Sequence, residues 1–242
     1  MPKSGSKWLA ALTSLSLMTA SISISLLLGE ALLRAKNSSM DNYDVEMWRY
    51  ANELKQKSTN PVLDFEHKKS KSAILQNKTI SLNSYGLRNS EIPETTTKRR
   101  ILFLGGSITL GWGVEEENII TTELSRLLNK PGEQSVEVLN AGVGNYNASR
   151  YTERFFKELT VLKPTDIVVQ YFLRDAEDLQ PSNENYLLSN SQLALTLWIL
   201  QQRTFAPKGK GSLEMHYKDV YQDSSPGFLK MQKSLKKLAA YA

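Results

Sequence analysis

The apolar positions of the chain change period several times, and each change predicts a different element. From Trp8 to Gly29 a run of 22 residues carries no charge. A helix of that length rises about 33 Å, enough to cross a bilayer core. Seven serines and threonines dilute the run, and Lys3 and Lys7 precede it. An uncleaved signal anchor is expected over a cleaved signal peptide, because Glu30-Ala-Leu-Leu-Arg34 continues the helical pattern and no small-x-small site follows. A short tail before such an anchor suggests that the body is exported.

Residues 37–97 are polar and irregular, with turn signals at Asn37-Ser-Ser39, Asn60-Pro61 and Glu94-Thr-Thr-Thr97. Within them Met47 to Leu54 reads as a short helix. Thr79 to Asn83 reads as a strand, and Ser84-Tyr-Gly86 as a turn. The segment is expected to connect rather than to form a second core. Domain boundaries follow: 1–36 for tail and anchor, 37–97 for the membrane-proximal connection, and 98–242 for an α/β domain.

Strand and helix periods then alternate. Ile101 to Gly105 is a short apolar run of the kind buried on both faces of a parallel sheet. Ile119, Ile120, Leu124, Leu127 and Leu128 share a helical face, and Pro131-Gly132 ends that helix. Val136 to Leu139 predicts the second strand. Tyr151, Phe155, Leu159 and Leu162 mark the next helix, and Asp166 to Leu173 the third strand. Ser191 to Gln202 reads as helix and Ala206-Pro-Lys-Gly-Lys-Gly211 as a flexible loop. Ser225-Pro226 opens a last helix with Phe228, Met231, Leu235 and Leu238 on one face. The alternation predicts an α/β fold with a doubly wound parallel sheet in three layers. Another strand is expected after the last helix, so the end at Ala242 reads as truncated.

Composition narrows the chemistry. The net charge is +5 and the lysines are scattered, without the aromatic interleaving of a nucleic-acid site, so nucleic acid is not expected as a partner. No cysteine is present, which excludes disulfides, thiolate metal sites and cysteine nucleophiles. The acidic runs Glu115 to Glu117 and Asp175 to Asp178 match no metal or glycosidase pattern and are expected to be solvated. No metal or cofactor is expected.

The strongest candidate for chemistry is Gly105-Gly-Ser-Ile-Thr109, a glycine turn between strand and helix. It places the Ser107 hydroxyl at the carboxyl edge of a sheet, where open α/β folds bind ligands. Its N–H would lie near a helix N-terminus, which favours a developing negative charge. Trp112 and Gly113 stand where a P-loop needs Lys and Ser/Thr, Glu116 breaks the dinucleotide fingerprint, and Thr109 breaks G-x-S-x-G. Glycine-rich βα turns are common, so an unreactive serine is the competing reading.

Three blocks in order resemble the SGNH hydrolases, also called GDSL-type esterases and lipases. They are Gly105-Gly-Ser-Ile-Thr109, Leu139-Asn-Ala-Gly-Val-Gly144 and Phe172-Leu-Arg-Asp175. Asn83-Ser-Tyr-Gly-Leu-Arg88 and Leu110-Gly-Trp-Gly-Val114 look like membrane-anchored bacterial members, and the resemblance covers residues 80–242. It implies Ser107 as the nucleophile, with an oxyanion hole from the Ser107 and Gly144 N–H groups and the third-block position, here Arg174. It also implies a histidine base oriented by an aspartate three residues earlier.

The chain departs from that pattern. Gly106 replaces the aspartate before the serine, Arg174 replaces an asparagine, and no Asp-x-x-His block follows. Asp64-Phe-Glu-His67 spells that block ahead of the nucleophile and is treated as coincidence. His216 has Leu213 three residues before it and is expected to pack or hydrogen-bond locally. The expected function is a membrane-anchored, SGNH-type serine hydrolase acting on esters such as O-acetyl groups of envelope carbohydrate, with weak or no activity. The alternatives are a non-catalytic envelope-binding domain and an O-acyltransferase. The expected partners are an ester or acylated carbohydrate and, through residues 8–29, a membrane.

Overall fold

The computed structural model describes residues 4–93, 99–130, 136–181, 185–205 and 213–241. The expected turn at Glu94 to Thr97, the helix stop at Pro131-Gly132, the loop from Ala206 to Gly211, Lys3 and the terminal Ala242 lie outside them. Helix α1 (Ser4–Lys36) is one continuous helix, long and apolar enough to cross a membrane, and its side chains from Trp8 to Leu28 are exposed. Helix α2 (Tyr43–Leu54) follows, then two antiparallel hairpins. The first pairs β1 (Lys55–Lys57) with β2 (Phe65–His67), and the second pairs β3 (Lys71–Leu75) with β4 (Lys78–Leu82). Gln76 and Asn77 both have positive φ, 49° and 58°, as a two-residue hairpin turn demands.

The α/β part begins at β5 (Arg99–Gly105) and the single helical turn α3 (Ser107–Leu110). Helix α4 (Ile120–Leu128), β6 (Val136–Asn140), α5 (Ala148–Arg154) and β7 (Asp166–Gln170) complete the alternation. The three strands are parallel in the order β6-β5-β7, with Leu102 opposite Leu139 on one side and Ile167 on the other. Successive β5 residues serve opposite faces. Ile101 and Phe103 pack with Val138 and Leu124 of α4, whereas Leu102 and Leu104 join Tyr151 and Phe155 in the larger core. Both faces of the sheet are therefore covered.

Helices α6 (Tyr186–Asn190), α7 (Gln192–Phe205), α8 (Leu213–Val220) and α9 (Pro226–Ala239) finish the chain. Met231 and Leu238 of α9 are buried in the core around Tyr151, as the sequence pattern predicts. The chain divides into two compact units, one of Met1–Val45 with Glu184–Pro207, the other of Glu46–Asn183 with Lys208–Ala242. In the first, Glu30 of α1 accepts the Gln192 and Leu193 N–H groups and the Ser191 hydroxyl, which caps α7.

Three expectations change. Residues 46–93 do not merely connect. Tyr50, Leu54, Ala73, Leu75, Ile80 and Leu82 form a core that also contains Leu110 of α3. The fully buried Arg88 guanidinium donates to the carbonyls of Thr79, Leu110, Gly111 and Val114, tying β4 to the chain after Ser107. Strand β7 stops at Gln170, and Tyr171 to Leu173 leave the sheet exposed, because β5 pairs with β7 only as far as Gly105. Helix α4 buries less than its apolar stripe suggests: Ile119 is buried and Leu124 half-buried, but Leu127 is 81% exposed.

Two glycines let α3 settle onto the strand ends. A Cβ on Gly142 would lie 2.2 Å from the Leu110 nitrogen, and one on Gly105 would lie 2.1 Å from Thr109 Oγ1. Gly106 is less crowded: its Cβ would meet the Tyr146 carbonyl at 3.3 Å, a tight contact that a shift of a few tenths of an ångström relieves. Gly142→Ala is expected to destabilise by about 2–3 kcal/mol, because backbone must move. Gly106→Ala is expected to cost under ~1 kcal/mol. Thermal unfolding in detergent checks the pair, and equal effects would contradict this packing.

Candidate active site

Ser107 follows the central strand and opens α3, with Gly106 before it in a non-helical conformation. The loops after all three parallel strands meet there. A small hollow of about 40 Å³ is lined by Ser107 and Ile108 after β5, Asn145 and Tyr146 after β6, and Gln170, Phe172, Arg174 and Asp175 at the end of β7. The strand order explains the meeting. The chain leaves β5 toward one side, returns past it to β7 on the other, and opens a crevice at the carboxyl ends. The Ser107 hydroxyl has no hydrogen-bond partner among the described residues.

Around it the turn is fixed by side chains. The buried Asn140 amide donates to the Thr109 carbonyl at 2.7 Å and to Thr121 Oγ1 at 3.3 Å, while its oxygen accepts the Gly142 N–H. The Thr109 hydroxyl donates to Gln170 Oε1 at 3.0 Å, linking α3 to the end of β7.

Of the two expected oxyanion contributors besides Ser107, neither faces the serine freely. The Gly144 N–H donates to Tyr50 Oη at 2.9 Å, and the Gly144 carbonyl accepts from Lys55 Nζ at 3.0 Å. Both contacts are buried and reach back about 90 residues, which no local pattern could announce. Arg174 does line the hollow, but its Nε donates to Glu177 at 2.9 Å. Asn145 stands at the rim instead, exposed and in the left-handed conformation with φ 65°. An asparagine tolerates that region better than most residues.

The histidines supply no base within reach. His67 is enclosed, and burial together with Arg154 holds its pKa well below the usual value, so the ring is neutral. Its Nδ1 lies 2.9 Å from the Gly86 carbonyl, which can only accept, so Nδ1 carries the proton. Nε2 then accepts the Tyr50 hydroxyl at 2.7 Å. Both ring nitrogens are occupied, in line with reading Asp64 to His67 as coincidence, and Asp64 pairs with Lys57 and Arg150. His216 of α8 sits 3.5 Å from Glu177, 39 residues earlier, with its side chain 56% exposed. Burial also lowers the Lys55 pKa to about 7, with Arg150 adding to the shift and Asp64 opposing it. No group of three or more acidic or histidine side chains suited to a metal occurs among the described residues.

Asp175 overturns the expectation of a solvated acidic loop. It is buried and accepts the Phe172 N–H at 3.1 Å and the Tyr151 hydroxyl at 3.2 Å. Desolvation raises its pKa from 3.8 to about 6 against those two bonds. Neither known protein families nor curated proteins give a match to this sequence.

The raised Asp175 pKa sets a sign for stability. Its proton is held more tightly in the fold, so the contribution is complete below about pH 4 and is lost as pH rises through about 6. Asp175→Asn keeps the acceptor without the charge. It is expected to be more stable than the parent by about 1–2 kcal/mol at pH 7.5, with the gap closing at pH 4. Melting curves at both pH values check this, and a gap independent of pH would contradict it.

Proposed function

We propose that the chain is a membrane-anchored serine hydrolase-like protein of the SGNH type that handles small acyl esters through Ser107. The observation that carries this reading is the convergence of three strand-end loops on one unpartnered serine hydroxyl. Helices on both faces of a sheet ordered β6-β5-β7 support a doubly wound, three-layer core of the flavodoxin-like kind. In this reading α1 anchors the chain and the α/β unit lies on the exported side. O-acetyl groups of envelope carbohydrate are the proposed substrates.

In the reaction, Ser107 Oγ attacks the ester carbonyl and the bond to the leaving alcohol breaks, giving an acyl-enzyme. The serine proton passes through a base to the departing alkoxide. Water or a sugar hydroxyl then takes the acyl group, which separates a hydrolase from an acyltransferase. Because neither histidine contacts Ser107, this chain is expected to be slow, by a factor of about 100 to 10,000 relative to a site with its base. The missing base and the Glu177-bound Arg174 favour the second reading, a domain that binds acylated glycan without turning it over.

Fluorophosphonate labelling separates the two. The full chain in detergent is expected to label slowly, Ser107→Ala not at all, and free imidazole to accelerate the parent at least about tenfold by supplying a base. Labelling that ignores Ser107, or none even with imidazole, would leave only the binding role.

A further inference from the structure

We propose that the side-chain amide of Asn145 is the oxyanion-stabilising donor that Arg174 does not provide. This rests on Ser107 as nucleophile. An acyl-transfer site needs fixed donors aimed at the carbonyl oxygen as it gains charge. Around Ser107 the Gly144 N–H is spent on Tyr50, and Arg174 is drawn to Glu177. Asn145 lines the same hollow as Ser107, and its amide has no hydrogen-bond partner among the described residues.

Its neighbours are immobilised on both sides. Gly144 is held at its N–H by Tyr50 and at its carbonyl by Lys55. The Tyr146 N–H donates to the Val143 carbonyl and its hydroxyl to the Phe65 carbonyl. Asn147 donates to the Glu177 carbonyl and accepts the Arg150 N–H at the start of α5. Between these fixed residues the Asn145 amide has no hydrogen-bond partner among the described residues, and its backbone is held at φ 65°. The fixed flanks set where the Asn145 backbone sits and leave its amide available to the substrate oxygen. Gln170 is the competing amide of the hollow. Its oxygen is tied to the Thr109 hydroxyl, so its carboxamide braces α3.

The test compares second-order fluorophosphonate labelling rates at Ser107 for the full chain in detergent, with imidazole present. Asn145→Gly keeps the N–H and suits the left-handed backbone but removes the amide; Asn145→Asp replaces the donor with an acceptor. Both are expected to label about 100-fold more slowly than the parent, with melting temperatures at or near the parent value. Parent-like rates in Asn145→Gly would overturn the assignment while leaving Ser107 in place. No labelling of the parent would remove the nucleophile and this inference with it.

Discussion

The close approach of α3 to the strand ends is the contact on which the site depends. Gly105 and Gly142 carry no side chain where Thr109 and Leu110 come down. Thr109 can then reach Gln170, and the Asn140 amide can close over the Thr109 carbonyl. Ser107 is lifted to the crevice because the turn beneath it is pinned from both neighbouring strands. With a larger residue at either glycine, the helical turn would ride outward and the hydroxyl would leave the meeting point of the three loops.

A second set of buried polar groups holds the loop after β6. Gly144 donates to Tyr50, Tyr50 to His67, and His67 to the Gly86 carbonyl, while Lys55 grips Gly144 from the other side. Burying a lysine and a histidine is costly unless their bonds are satisfied. Here the histidine remains neutral, and the Lys55 ammonium lies 3.9 Å from the Phe65 ring centroid and 4.4 Å from that of Tyr50. These groups come from α2 and the first hairpin, so the stretch ahead of the sheet holds in place the loop after β6 that reaches the site.

The strand runs Ile101 to Gly105 and Val136 to Leu139, the glycine turn before Ser107 and the proline-started last helix were legible in the sequence because each is a local pattern. The candidate site was legible in part for the same reason. Ser107 follows a turn that glycine dictates, and Arg174 follows a strand. The Tyr50 and Lys55 contacts to Gly144 span 94 and 89 residues and leave no local trace. Asp175 sits in an acidic run that reads as solvated, yet Tyr151 and the Phe172 N–H draw it inward. Apolar periodicity also overstated α4, since a stripe records what a helix could bury and not what lies opposite it.

Trapping the acyl-enzyme tests the nucleophile most directly. The full chain would be exposed to an activated acetate ester with imidazole present, quenched in acid and digested, beside Ser107→Ala treated in the same way. An acetyl group on the peptide carrying Ser107, absent from the variant digest, is the predicted result. Acetylation found only elsewhere, or to the same extent in Ser107→Ala, would contradict the assignment of Ser107.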